Sequence, residues 1–321
     1  STLSTILQAS EVHGGKANGL RRLIEGGFAT PDGLVLSVEV VSGVLGGSEH
    51  LLAELDSWLA RTGCAVAVRS SAIGEDGASM SFAGMFDSRL CVDPTIDNVL
   101  KAIDHVSASG SSQRVESYGG ASRPRIPVVI QKMVSPIISG VSFTSAVGAD
   151  GEKCCYSEWV EGLGEQLVSG RTTPSRIVIP WGSASIKLDR SAVSMFGRAV
   201  HNDDLGMLCD AVDRLCQIYE GNWDVVWSID GEGSLWLLQL RPVTRPILVP
   251  STETPFSHIA ASPGVASGSA FLVNDDGYTS NLQEGDVLVA ETTEVDFVPA
   301  MKRAAAIVTE QGGMLSHAAI V

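Results

Sequence analysis

Apolar positions along the chain recur in two spacings. Residues 16–26, KANGLRRLIEG, place Leu20, Leu23 and Ile24 on one helical face, and Gly26-Gly27 stop the helix. Residues 203–219, DDLGMLCDAVDRLCQIY, repeat the pattern with Leu205, Leu208, Val212, Leu215 and Tyr219. The acidic start of that helix suits its dipole. Elsewhere the apolar residues gather in short blocks that read as strands. GCAVAVRSSA (63–72) delivers Arg69 at its end, and RIPVVIQKMV (125–134), GVSFTS (140–145) and CCYSEWV (154–160) follow.

The clearest hairpin is WDVVWSIDGEGSLWLLQLRPV (223–243), two strands around a Gly-containing turn. Alternation sets Asp224, Val226 and Ser228 on one face of the first strand, and Leu237, Gln239 and Arg241 on one face of the second. A glutamine and an arginine inside so apolar a strand need partners, which makes them site candidates. Four prolines in PVTRPILVPSTETP (242–255) then mark a linker. Beyond it, SGSAFLV, GDVLVAE and AAAIVTE read as strands, with VDFVPAMKRA a short helix between the last two. No internal repeat is visible.

The 321 residues suffice for two or three domains, and 44% hydrophobic with 18% charged residues is an ordinary globular balance. A formal charge of −15 repels nucleic acid and anionic membrane, so neither is a favoured partner. Any nucleotide site then needs local positive charge. The six cysteines form no CxxC pair and lie mostly in apolar runs, as small buried hydrophobes of a reducing compartment. With no apolar run of transmembrane length and no signal-peptide pattern, a cytoplasmic protein is expected.

Several segments carry candidate chemistry. VAVRSSAIGEDGASMSFAGMFDS (66–88) joins a strand, Arg69 and a loop of small residues, and the run Ser79 to Gly84 is suited to lie over phosphates. On its own it reads first as a Gly/Ser loop with a surface arginine. HGGKANGL (13–20) puts Lys16 behind two glycines at a helix start, without P-loop spacing. EWVEGLGEQLVSGRTTPSR (158–176) reads as a solvated acidic run. His13, His50, His105, His201 and His258 sit in polar or turn contexts, read as surface positions without metal-ligand spacing. His317 differs. It follows a strand and a Gly-Gly turn, with Ser316 as an N-cap, and suits either a phosphoryl acceptor or a structural histidine.

In order, GGKANGLRRLIEGGFATPDGLVLS, the VAVRSSA segment, VVIQKMV with SGVSFT, EGLGEQLVSGRTTP and LLQLRPVT resemble the ATP-binding domain of the phosphoenolpyruvate synthase and pyruvate phosphate dikinase superfamily. AASPGVASG and EGDVLVAETTEVDFVPAMKRAAAIVTEQGGMLSHAAIV resemble its swivelling phosphohistidine domain, a pair of modules shared with rifampin phosphotransferase. The resemblance implies an α/β fold: an ATP-grasp-like domain at 1–245 with subdomains of about 1–115 and 116–245. A linker at 246–256 and an incomplete β/β/α phosphohistidine domain at 257–321 complete the expectation. It also implies a phosphotransferase that uses ATP and Mg²⁺. ATP phosphorylates the histidine, AMP and phosphate leave, and the domain swings to a distant acceptor such as pyruvate or a specialised metabolite, in a downstream domain or in trans.

Carried over by motif, Lys16 and Arg69 neutralise the nucleotide phosphates, and the loop Ser81, Phe82, Ala83 and Gly84 covers them. The strand at Gln131, Lys132 and Met133 lies along the adenine through backbone groups. Glu158 matches a nucleotide-contacting acid. Gln239 and Arg241 hold the metal and the β- and γ-phosphates, and His317 takes the phosphoryl group. One departure matters: the family's Asp-x-Glu-Trp is DVVW here, so Val226 stands where a glutamate helps hold magnesium. Valine offers no oxygen donor. Asp224, on the same strand face, is then the expected compensating metal ligand. The alternatives are an ATP-binding regulatory module with weakened catalysis, and a ligase or antibiotic phosphotransferase component of a biosynthetic pathway.

Overall fold

A computed structural model of the chain describes residues 2–72, 88–109, 126–148, 151–168, 172–182, 194–196, 202–243, 247–249, 261, 264–273, 279–293, 295–314 and 316–320. The fold is α/β, as expected, and divides into two compact units: residues 1–135 with 223–244, and residues 136–222 with 245–321.

The first unit is built on β1 (Ser4–Thr5), α1 (Gly14–Glu25), β2 (Gly33–Leu36), α2 (Val38–Leu45), α3 (Glu49–Thr62), β3 (Val66–Ser70), β4 (Ser88–Val92), α4 (Ile96–Ala108) and β5 (Val128–Lys132). Its five strands run in the order β1-β2-β5-β3-β4. One face of the central strands presents Leu34, Leu36, Val66, Val68, Val128 and Ile130 to a core shared with α2, α3 and α4. α3 contributes Leu51, Leu55, Trp58 and Leu59, an i, i+4, i+7, i+8 stripe, and ends on Gly63 in the left-handed region. Arg69 and Gln131 pair with Val129 and Ala67 across β3 and β5, so both sit on the sheet face turned away from that core. Two later strands, β10 (Trp223–Asp230) and β11 (Leu235–Pro242), complete the unit as an antiparallel hairpin.

The second unit holds β6 (Pro136–Val147), β7 (Lys153–Glu161), α5 (Glu165–Val168), β8 (Ser175–Pro180), β9 (Ser194–Phe196) and α6 (Asn202–Ile218). β6 to β9 pair in sequence, antiparallel throughout. α6 buries Leu205, Leu208, Val212 and Leu215. The proline-rich stretch contributes β12 (Ile247–Leu248), which pairs parallel with β6. β13 (Ala270–Leu272), β14 (Val287–Ala290) and β15 (Ala306–Thr309) then form a parallel three-stranded sheet. α7 (Val298–Met301) separates β14 from β15, and α8 (His317–Ile320) follows β15.

Four local expectations are corrected. His13 is buried, and its Nδ1 accepts the Ser10 N–H at 3.1 Å. Cys91 is exposed, whereas Cys154, Cys155 and Cys209 are buried; all six thiols are free. Glu158 lies in no solvated loop, because β7 runs on to Glu161 and buries Glu158 completely. Leu237 does not share the face of Gln239 and Arg241, for a reason found in the hairpin register below. Among the described residues, no helix is long and apolar enough to cross a membrane.

Candidate active site

The β10–β11 ladder pairs Asp224 with Arg241 and Val226 with Gln239, then shifts by one residue, so that Trp227 pairs with Leu237. Leu238 is the extra residue of a bulge, and a bulge reverses strand parity beyond it. The face that carries Asp224, Val226, Gln239 and Arg241 therefore does not carry Leu237. The Leu238 carbonyl accepts Arg69 Nη1 at 3.3 Å, and Arg69 Nη2 donates to Gln239 Oε1 in a short contact. Arg241 grips one oxygen of Asp224 twice, with Nε at 2.7 Å and Nη2 at 2.6 Å from Oδ2. The other oxygen, Oδ1, is buried and without a hydrogen-bond partner.

That bare Oδ1 tests the fit of a magnesium ion. Asp224 is 4% exposed, and a buried carboxylate oxygen without a donor is costly unless something positive meets it. Gln239 Oε1 keeps a second lone pair beside its bond to Arg69. Among the described residues, no three His, Cys, Asp or Glu side chains converge as a metal cage. The donors fit Mg²⁺ in its usual manner, one carboxylate plus waters and phosphate oxygens. Val226 adds nothing to them.

α1 carries Lys16 in its first turn, and two contacts fix that turn. The Ala17 N–H donates to Ser71 Oγ at 3.0 Å, two residues beyond Arg69. A Cβ on Gly19 would fall 2.0 Å from the Leu240 carbonyl oxygen, so only glycine lets α1 lie this close to β11. The structure thus brings Arg69, Asp224, Gln239 and Arg241 into hydrogen-bonded pairs and packs the helix of Lys16 on the same strand. Gln131 stands apart, with Nε2 donating to the Pro31 carbonyl at 3.3 Å. The N–H groups of Lys132 and Met133 are taken by the carbonyls of Asp32 and Ala65, both at 2.9 Å. Ser81, Phe82, Ala83 and Gly84 lie outside the described residues.

A second group of residues lies in the other unit. Glu158 Oε1 accepts the Tyr156 hydroxyl at 2.6 Å and the Met314 N–H at 2.9 Å. Burial and the neighbouring carboxylate raise the Tyr156 pKa far above the phenol range, so this hydroxyl remains a donor. Arg176 stands directly opposite Glu158 on β8. His317 Nδ1 lies 3.1 Å from Thr293 Oγ1, and its Nε2 is buried without a hydrogen-bond partner. Burial lowers the His317 pKa and favours the neutral ring.

Thr293 and Tyr156 escaped the sequence reading. Thr293 is 24 residues from His317, and neither forms a spacing pattern. One signal was available. Thr293 follows β14 and His317 follows β15, and parallel strands gather the residues after their C-terminal ends on one rim.

The family model for the pyruvate phosphate dikinase AMP/ATP-binding domain matches residues 48–248. The model for the mobile domain of PEP-utilising enzymes matches residues 282–321. A probable phosphoenolpyruvate synthase of Archaeoglobus fulgidus is 35% identical over 292 residues, covering 80% of this chain and 38% of that protein. The phosphoenolpyruvate synthase of Pyrococcus furiosus is 31% identical over 332 residues, covering 90% of this chain and 40% of that protein. The chain therefore spans about two-fifths of the length of these curated relatives. Among solved structures, carboxyaminoimidazole ribonucleotide synthase of Aspergillus clavatus, complexed with ATP, aligns at a TM-score of 0.40 with 12% identity, over 72% of this chain and 44% of that one. The match across residues 48–248 makes the chain a member of the pyruvate phosphate dikinase AMP/ATP-binding family, followed by sequence of the PEP-utilising mobile domain.

Proposed function

We propose that this chain moves a phosphoryl group from ATP through His317. One observation carries the reading: the His317 ring has Nδ1 engaged by Thr293 and Nε2 without a partner. With Nδ1–H donated to Thr293 Oγ1, the lone pair sits on Nε2. Nε2 attacks the β-phosphorus of ATP. The bond from that phosphorus to the α–β bridging oxygen breaks, and its electron pair leaves with AMP. Water then takes the γ-phosphate as inorganic phosphate, and one phosphoryl group stays on Nε2. Because Nε2 is buried, the atoms over it must part before a nucleotide reaches it.

On the nucleotide side, Arg69, Arg241 and Lys16 supply the positive charge that a chain of net charge −15 otherwise lacks. Phosphoryl transfer runs mainly on positioning and charge stabilisation, so paired, held guanidinium groups serve it. Asp224 and Gln239 would hold Mg²⁺, which when bound neutralises phosphate charge. Ser81 to Gly84 would cover the phosphates, and Gln131 to Met133 would border the adenine. The relatives are named phosphoenolpyruvate synthases, which supports pyruvate as the final acceptor.

Product analysis tests the reading. With Mg²⁺ and ATP the wild type releases AMP in a burst equal to the enzyme present, and His317→Ala releases none. ADP as the sole product contradicts it. Val226 supports a second reading, an ATP-binding module with weakened turnover; tight ATP binding without AMP release is its signature.

A further inference from the structure

We infer that Glu158 is a positioning residue for the phosphoryl carrier: its carboxylate clasps the Gly312–Met314 turn and so sets where His317 is presented. The inference rests on the reading of His317 given above. The clasp joins distant parts of the chain, since Glu158 lies on β7 and the Met314 N–H that it accepts comes 156 residues later. Glu158 is 0% exposed. A buried carboxylate in this position must be met by donors, and the Tyr156 hydroxyl and the Met314 N–H meet the same oxygen.

Gly313 gives independent support. A Cβ there would lie 2.5 and 2.7 Å from the two carboxylate oxygens of Glu158 and 2.6 Å from Pro174 Cγ. The preceding Gly312 has φ +122, in the region that favours glycine. The GG pair therefore brings the turn's backbone onto the carboxylate. From there the path to the histidine is short. Ser316 N–H donates to the Gly313 carbonyl at 3.1 Å, and Ala319 N–H to Ser316 at 3.0 Å, which carries the turn into the helix that begins at His317.

A carrier that must also leave for an acceptor is better held by a few directional hydrogen bonds than by a wide apolar seal. One charged acceptor on one backbone N–H meets that need.

The test uses the whole 321-residue chain and reads amide exchange at Met314 beside phosphohistidine formation. In the wild type, Met314 N–H is protected. Gly313→Ala forces the turn off the carboxylate and raises its exchange at least tenfold. Glu158→Ala does the same, while Glu158→Gln keeps most of the protection because its amide oxygen still accepts. Gly313→Ala also slows phosphohistidine formation at least tenfold, with ATP affinity unchanged within twofold. Fast Met314 exchange in the folded wild type overturns the clasp. Wild-type phosphorylation by a Gly313→Ala chain whose Met314 exchanges fast overturns the positioning role. If Met314 is protected but wild type forms no phosphohistidine, the carrier reading fails and takes the positioning role with it, while the contact itself stands.

Discussion

Val226 stands directly across the β10–β11 ladder from Gln239, on the strand face that also carries Asp224 and Arg241. An apolar side chain thus occupies the centre of a polar constellation. Asp224 and Gln239 supply the only oxygen donors on that face of the pairs Asp224–Arg241 and Val226–Gln239. A carboxylate at 226 would add one more, beside the bare Oδ1 of Asp224.

Val226→Glu is therefore expected to tighten Mg²⁺-dependent ATP binding by about tenfold, the effect of roughly 1.4 kcal/mol. Calorimetric titration with and without Mg²⁺ checks it. Equal affinities for wild type and variant in Mg²⁺ would count against the metal-site assignment.

Arg241→Ala leaves Asp224 buried with its charge uncompensated. Breaking a buried pair in this way costs about 3–5 kcal/mol, and the partial exposure of Arg241, 29%, moves the expectation to about 1–3 kcal/mol. Urea unfolding reads the loss. Asp224→Asn should cost less, because its amide oxygen still accepts from Arg241.

Gly19→Ala places a methyl group against backbone that cannot yield easily, since the Leu240 carbonyl belongs to β11. Overpacking of this sort costs about 1–3 kcal/mol. The same change should weaken ATP binding by displacing the first turn of α1, where Lys16 sits. A thermal scan beside a binding titration separates the two effects.

The lowered pKa of His317 sets a pH dependence. The folded ring holds its proton less firmly than the unfolded one, whose pKa is about 6.5. Its contribution to stability is thus full above about pH 6.5 and is lost as pH falls through the folded value. Phosphohistidine formation should stay level down to pH 6.5 and fall only below it. A decline that begins well above pH 6.5 contradicts the buried neutral imidazole. Thr293→Val should slow the reaction by about 10–100-fold, as for other partners that orient a histidine, and leave ATP binding intact.

Much of this was legible in the sequence because it is local. The 3.6-residue spacing of Leu205, Leu208, Val212 and Leu215 and the apolar blocks around Arg69 and Gln131 determine their elements without distant help. Asp224, Gln239 and Arg241 were visible as polar residues inside an apolar hairpin. What stayed hidden depends on register and long-range approach. The bulge at Leu238 reversed the parity of Leu237, and alternation alone cannot foresee an inserted residue. Glu158 reads as one acid in an acidic run, because the Met314 N–H that it accepts lies 156 residues along the chain. His13 looked exposed for the same reason: its burial comes from packing that its turn-like neighbours do not announce.

The central claim is that His317 Nε2 carries the β-phosphoryl group of ATP. The most direct measurement is incubation with Mg²⁺ and ATP labelled at the β-phosphate, followed by phosphorus NMR of the denatured chain at alkaline pH. The account predicts one acid-labile, alkali-stable phosphoramidate per chain, on Nε2 and absent from His317→Ala. A label on Nδ1, a label that survives His317→Ala, or no label on a chain that binds ATP would contradict it.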